Sequence, residues 1–101
     1  MPYPDNMTRH AIQRSQSRGV PPHLVAAVME YADIETRVGR GCESLMISRR
    51  KLTRISDRIL SASERDRLAG MAVVVSDDDN IVTVMHLHGP QAKRYLRRLS
   101  S

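Results

Sequence analysis

No phenylalanine and no tryptophan occur among the 101 residues, and three tyrosines are the only aromatic side chains. A core must therefore be assembled from Val, Ile, Leu, Met and Ala. Platforms for stacking single-stranded bases have almost nothing to be built from, so contacts to a nucleic acid should go mainly to phosphate. Cysteine is nearly absent too. A lone Cys42 excludes an internal disulfide and fits a reducing cytosol. No nearby basic pattern activates it, so it is read as a small packing residue. The glycines are scattered and none precedes a Lys-Ser/Thr pair, which excludes a phosphate-binding P-loop. No apolar run approaches the ~20 residues of a membrane span. The opening MPYPDN is polar and broken by proline, unlike a signal peptide. The expectation is a soluble, cytoplasmic single domain over residues 1–101, with 1–6 as a loose lead-in.

Acidic charge is in short supply. Sixteen Lys/Arg stand against eleven Asp/Glu, for a net charge of +5. The excess is concentrated: residues 49–70 carry seven basic and three acidic groups, and residues 90–101 carry four basic groups and no acid. Arg49, Arg50 and Lys51 in the first block and Arg94, Arg97 and Arg98 in the second are candidate nucleic-acid contacts, because clustered cations suit a phosphate backbone. A solvated helix face would have the same composition.

The strongest structural signal is Met71–His88. Two runs rich in β-branched residues, Val73–Val75 and Ile81–Val84, flank Asp77-Asp78-Asp79-Asn80, which predicts a β-hairpin with 71–76 paired to 81–86. Both runs are apolar at nearly every position, so both strands are expected in the middle of the sheet. A period of two places Val82, Val84, His86 and His88 on one face. Upstream, Asn6 or Thr8 can cap a helix running to about Ser17, ended by Gly19. Pro21-Pro22 opens a second helix with a stripe of Leu24, Val25, Val28, Met29, Tyr31 and Ala32; His23, Ala26, Ala27 and Glu30 are read as facing out. Ile34–Val38 and Cys42–Ser48 form an earlier hairpin around Gly39-Arg40-Gly41. Ser48 can cap a basic helix through Leu52, Ile55 and Ile59. Ser61 and Glu64 have the spacing of a capping box for a second piece ending at Gly70. Tyr95, Leu96 and Leu99 give a final helix after Gly89-Pro90 its apolar side.

The fold class is therefore α+β: a single antiparallel sheet of about four strands, two N-terminal helices, a basic helical insert over 49–70 and a C-terminal helix.

Few constellations could carry chemistry. No serine sits in a nucleophile elbow. The aspartate run lacks the spaced ligands of a calcium loop and suits a hairpin turn. His86 and His88 could share a metal only if His10 completed the set, since the aspartates lie ~25 Å away along the hairpin at ~3.3 Å per residue. No metal and no cofactor are assigned. What remains is His10, Arg14 and Arg18 on the first helix with Thr83, His86 and His88 on the last strand, of which His10, Arg14, Arg18 and His86 are the candidate catalytic residues. Metal-free RNA cleavage needs a base and an acid near neutral pKa, and cations to hold the charge of the phosphorane. Histidine and arginine supply those properties. The first helix is thinly apolar, so its His/Arg edge should border a groove, with His10 and Arg14 in reach of His86.

Residues Arg9–Val20 (RHAIQRSQSRGV) resemble the opening of a small bacterial family of uncharacterised proteins. Its members begin His-Ala-x-x-Arg-x-x-x-Arg-Gly-(Ile/Val) and end in an antiparallel sheet whose last strand is similar to Ile81-Val82-Thr83-Val84. The resemblance covers about residues 8–38 and 71–86, and departs from the family at the 49–70 insert and at His86-Leu87-His88. The family is regarded as similar in fold to RelE-type toxins and small ribonucleases. The resemblance implies that His10, Arg14 and Arg18 are signature positions. It also implies an RNA-directed, metal-independent toxin-type ribonuclease with RNA or the ribosome as target and a neutralising protein as a further partner. The basic helices alone fit an alternative: a non-catalytic module that binds nucleic acid or protein.

Overall fold

Thr8 caps the first helix through its own hydroxyl. In the computed structural model, which describes residues 2–87, Thr8 Oγ1 accepts from Ala11 N at 3.1 Å and α1 spans Arg9–Ser17. Gly19, at φ +67°, turns the chain out of the helix in a conformation that costs other residues a steric clash. Pro22 stands at the start of α2 (Pro22–Tyr31), where its missing N–H would have had no partner anyway. Strands β1 (Ile34–Gly39) and β2 (Cys42–Met46) follow as a hairpin. Ser48 caps α3 (Arg49–Arg54) by accepting from Lys51 N at 3.0 Å. Ser61 and Glu64 form the expected capping box on α4 (Ala62–Leu68). The chain then enters β3 (Met71–Ser76) and β4 (Ile81–His86).

The four strands make one antiparallel sheet in the order β1-β2-β3-β4. Met71, Val73, Ile81 and Val84 pack against a cluster drawn from all four helical segments, with Ala11, Leu24, Val25, Val28, Leu52, Leu60 and Leu68 buried in it. On the other face Ser44, Met46, Ala72 and Val74 are also buried. The apolar runs of the central hairpin thus match buried side chains on both faces of the sheet.

Several expectations need correction. Among the described residues β4 is an edge strand, not a central one: its apolar character comes from Met7, which bridges Ile81 in parallel, and from α1 lying along it. The strict alternation in β4 also fails. Val75 pairs with Ile81 but Val74 with Thr83, so Val82 is the extra residue of a bulge, and Ile81 and Val84 share the core face. In α2, Ala27 is buried and Met29 exposed, because α4 as well as the sheet packs on the helix and turns its buried arc. β2 stops at Met46, two residues early. α3 stops at Arg54, so Ile59 never joins the stripe of Leu52 and Ile55. Ile59 is 53% exposed, and Leu60 takes the core position instead. His23 faces out as expected, and there meets Glu64 Oε2 at 2.8 Å, linking α2 to α4. The helix expected after Gly89-Pro90 lies outside the described residues, as do His88, Arg94, Arg97 and Arg98.

Two carboxylates fasten helix starts. Asp33 accepts from Ser48 N at 2.7 Å and from Ser48 Oγ at 2.6 Å. Desolvation opposes its ionisation, but these two bonds and the charge of Lys51 outweigh it and hold the carboxyl below its ordinary value. The Ser61 amide, then the Ser61 hydroxyl and His23, do the same for Glu64. A carboxyl whose pKa is lower folded than unfolded contributes stability in full above its unfolded value, 3.8 for Asp and 4.5 for Glu. That stability is lost as pH falls through the folded value. The melting temperature should therefore decline below about pH 4, and more shallowly in an Asp33→Asn/Glu64→Gln double variant. Parallel acid profiles for the two proteins would contradict this.

Candidate phosphate-binding groove

The direction of α1 decides which signature residues meet the end of β4. Thr8 N donates to Ile81 O at 2.9 Å and Ile81 N to Asn6 O at 2.8 Å, so helix and strand start together and run the same way. At the far end of the helix, Arg18 Nη1 donates to Val84 O at 2.7 Å. His10 and Arg18 are separated by eight residues, ~12 Å of helical rise. Arg18 is therefore delivered to the exit of β4, and His10 stays near its entrance.

His86 lies directly across from Met71, the first residue of β3. The chain just before Met71 consequently runs past the imidazole. His86 Nε2 lies 2.8 Å from Arg67 O, and because a carbonyl only accepts, the ring nitrogen donates. Arg67 reaches the other way, donating from Nη2 to Gly19 O at the end of α1. Arg18, Arg67 and His86 thereby rim one shallow groove of about 170 Å³, floored by Val20, Met71, Val84 and Met85. Among the described residues each guanidinium gives one hydrogen bond to a backbone carbonyl, out of five N–H donors. Two positioned guanidinium groups and an imidazole on the rim are suited to an oxyanion such as a phosphate.

His10 and Arg14 do not line the groove. They are exposed on α1, where Arg14 Nε donates to His10 Nε2 across a long 3.5 Å. Of the four residues expected to form the site, the structure brings Arg18 and His86 together, and His10 and Arg14 pair with each other. Arg67 was not anticipated. Its signal was the hairpin register: once 71 pairs with 86, the residues just before 71 must pass beside His86.

The basic insert connects to this groove through Arg65, which donates from Nε to Leu52 O at 3.0 Å and from Nη2 to Ile55 O, and pairs with Asp57 at 2.8 Å. Arg65 thus caps the end of α3 and fixes it to the helix that carries Arg67. Arg49, Arg50 and Arg54 are exposed and Lys51 half-buried, and none of the four is in an ion pair among the described residues. Also among the described residues, no three His, Cys, Asp or Glu side chains come together as a metal-binding group, and no helix is long and apolar enough to cross a membrane. No family model, no curated protein and no solved structure matches this chain.

Proposed function

We propose that this protein is an RNA-directed domain of the RelE-like kind that receives a backbone phosphate in the Arg18–Arg67–His86 groove. The arginines and lysine of α3 supply further phosphate contacts, and a cytoplasmic location goes with that role. One observation carries the reading: Arg18 and His86, two members of the constellation singled out from sequence, line the same groove, and a second guanidinium, that of Arg67, completes its rim.

Whether the bound RNA is also cut depends on proton transfer. Cleavage without a metal requires both a base and an acid. Among the described residues that line the groove, His86 is the sole imidazole and none is a carboxylate, and His86 Nε2 is committed to Arg67 O. This favours the non-catalytic alternative, in which the groove and α3 hold RNA. In the ribonuclease version His86 moves one proton, Arg18 and Arg67 stabilise the phosphorane, and a group of the RNA or of the ribosome moves the second.

Purified protein incubated with an RNA oligonucleotide and with ribosomes, with and without chelator, separates these versions. Chelator-resistant cleavage identifies a ribonuclease, and binding without cleavage identifies a module. In both, affinity should fall with salt by roughly 0.7 in log–log slope for each phosphate contact to single-stranded RNA, giving a slope of about −2 to −4 for the groove and α3 together. Binding that ignores salt, or no binding to any RNA, would contradict the reading.

A further inference from the structure

Among the described residues, β1 is hydrogen-bonded along one side only, to β2, at the end of the sheet order. Along its other side, alternate backbone N–H and C=O groups have no strand partner among the described residues. Edge strands of this kind are templates for pairing with another strand. The residues on this edge are Ile34-Glu35-Thr36-Arg37-Val38. Glu35, Arg37 and Val38 are exposed, Val38 at 42%, and neither charged residue is in an ion pair among the described residues.

This segment is complementary to itself. Two copies laid antiparallel about Thr36 bring Glu35 of each chain opposite Arg37 of the other. The same register puts Thr36 opposite Thr36, and the regular ladder covers Glu35 to Arg37 only, since Val38, which would face Ile34, is the bulged residue of β1. An antiparallel pair about a single residue is a two-fold arrangement, so each favourable contact occurs twice. The residues also keep their parity, so backbone groups that point outward on one chain meet outward groups on the other. Glu43 of β2, which lies across from Arg37 within the chain, extends the row: Glu43, Arg37, then Glu35 of the second copy. Opposite charges directly across a ladder stabilise it, and like charges destabilise it.

We infer that β1 is a self-association surface whose occupant is β1 of a second copy of this chain, joining the two four-stranded sheets into one of eight. The bulge at Val38, between the Arg37–Glu43 and Gly39–Cys42 pairs, twists the end of the strand and keeps the ladder short. The contact belongs to the small, reversible class of interfaces, below about 1,200 Å². This inference does not depend on the groove or on RNA.

Charge reversal tests it with the full-length protein in sedimentation velocity over a concentration series. The wild type should show a concentration-dependent monomer–dimer equilibrium. Glu35→Arg sets two positive charges opposite each other at each pair, and Arg37→Glu sets two negative ones. Each variant alone should dimerise at least about tenfold more weakly. An equimolar mixture of the two restores opposite charges at both pairs, so it should recover association as a heterodimer. That recovery requires both variants to be folded, which separates loss of pairing from loss of structure. A wild type that stays monomeric throughout would overturn the inference, as would variants that dimerise as well as the wild type or a mixture that behaves as the sum of its parts.

Discussion

Replacing Gly70 by alanine is expected to lower the free energy of unfolding by about 2–4 kcal/mol, the sum of a left-handed backbone penalty and an overpacking penalty. Gly70 sits at φ +86°, and a Cβ built there would lie 2.5 Å from Leu87 O. The colliding atom is backbone, so no side chain can swing away. It cannot shift freely either, because Leu87 N donates back to Gly70 O at 2.8 Å, closing the end of the β3–β4 ladder. In a domain of this size such a loss lowers the melting temperature by roughly 10 °C or more. The consequence extends to the groove, because Gly70 lies between Arg67 and Met71, both of which line it. Thermal unfolding followed by circular dichroism checks the prediction, and a melting temperature within a degree or two of wild type would contradict it.

Replacing Arg18 by alanine should weaken RNA binding by roughly 10- to 100-fold, the equivalent of one charged hydrogen bond at 1.5–3 kcal/mol. Stability should change little, since the side chain is exposed and, among the described residues, its one hydrogen bond goes to the Val84 carbonyl at a strand edge. Arg18→Lys keeps the charge but loses the planar fork, so it should recover only part of the affinity. Arg14→Ala provides the contrast: it carries the same charge one turn away on α1 but does not line the groove, and its effect should be several-fold smaller. Equal losses for the two alanine variants would mean that α1 contributes only diffuse charge.

How much of this was legible in the sequence follows from the kind of signal each feature leaves. The two hairpins, the Thr8 and Ser48 caps and the Ser61–Glu64 capping box depend on residues close together in the chain, and all were readable. The edge position of β4 was not, because an apolar run records only that a strand is covered. Cover by α1 and Met7 leaves the same trace as cover by another strand. The bulge at Val82 was hidden for a related reason: every residue from Ile81 to Val84 except Thr83 is apolar, so alternation had nothing to mark. Ile59 was misassigned because Leu52, Ile55 and Ile59 fit a helical period by spacing alone, whereas the helix had already ended at Arg54. For the groove, sequence supplied Arg18 and His86 but could not separate them from His10 and Arg14. All four are of suitable chemistry, and only the shared direction of α1 and β4 distinguishes the helix end that reaches His86.

The central claim, that the Arg18–Arg67–His86 groove receives an RNA phosphate, is tested most directly by titrating isotope-labelled protein with a short RNA and following backbone amide resonances. The largest shifts should centre on Arg18, Gly19, Arg67, Met71 and Val84 to Leu87, the groove and the chain that forms it. A second, weaker set should appear at Arg49 to Arg54. Shifts confined to α3, with the groove resonances unmoved at saturation, would contradict the claim and return Arg18, Arg67 and His86 to a purely structural role.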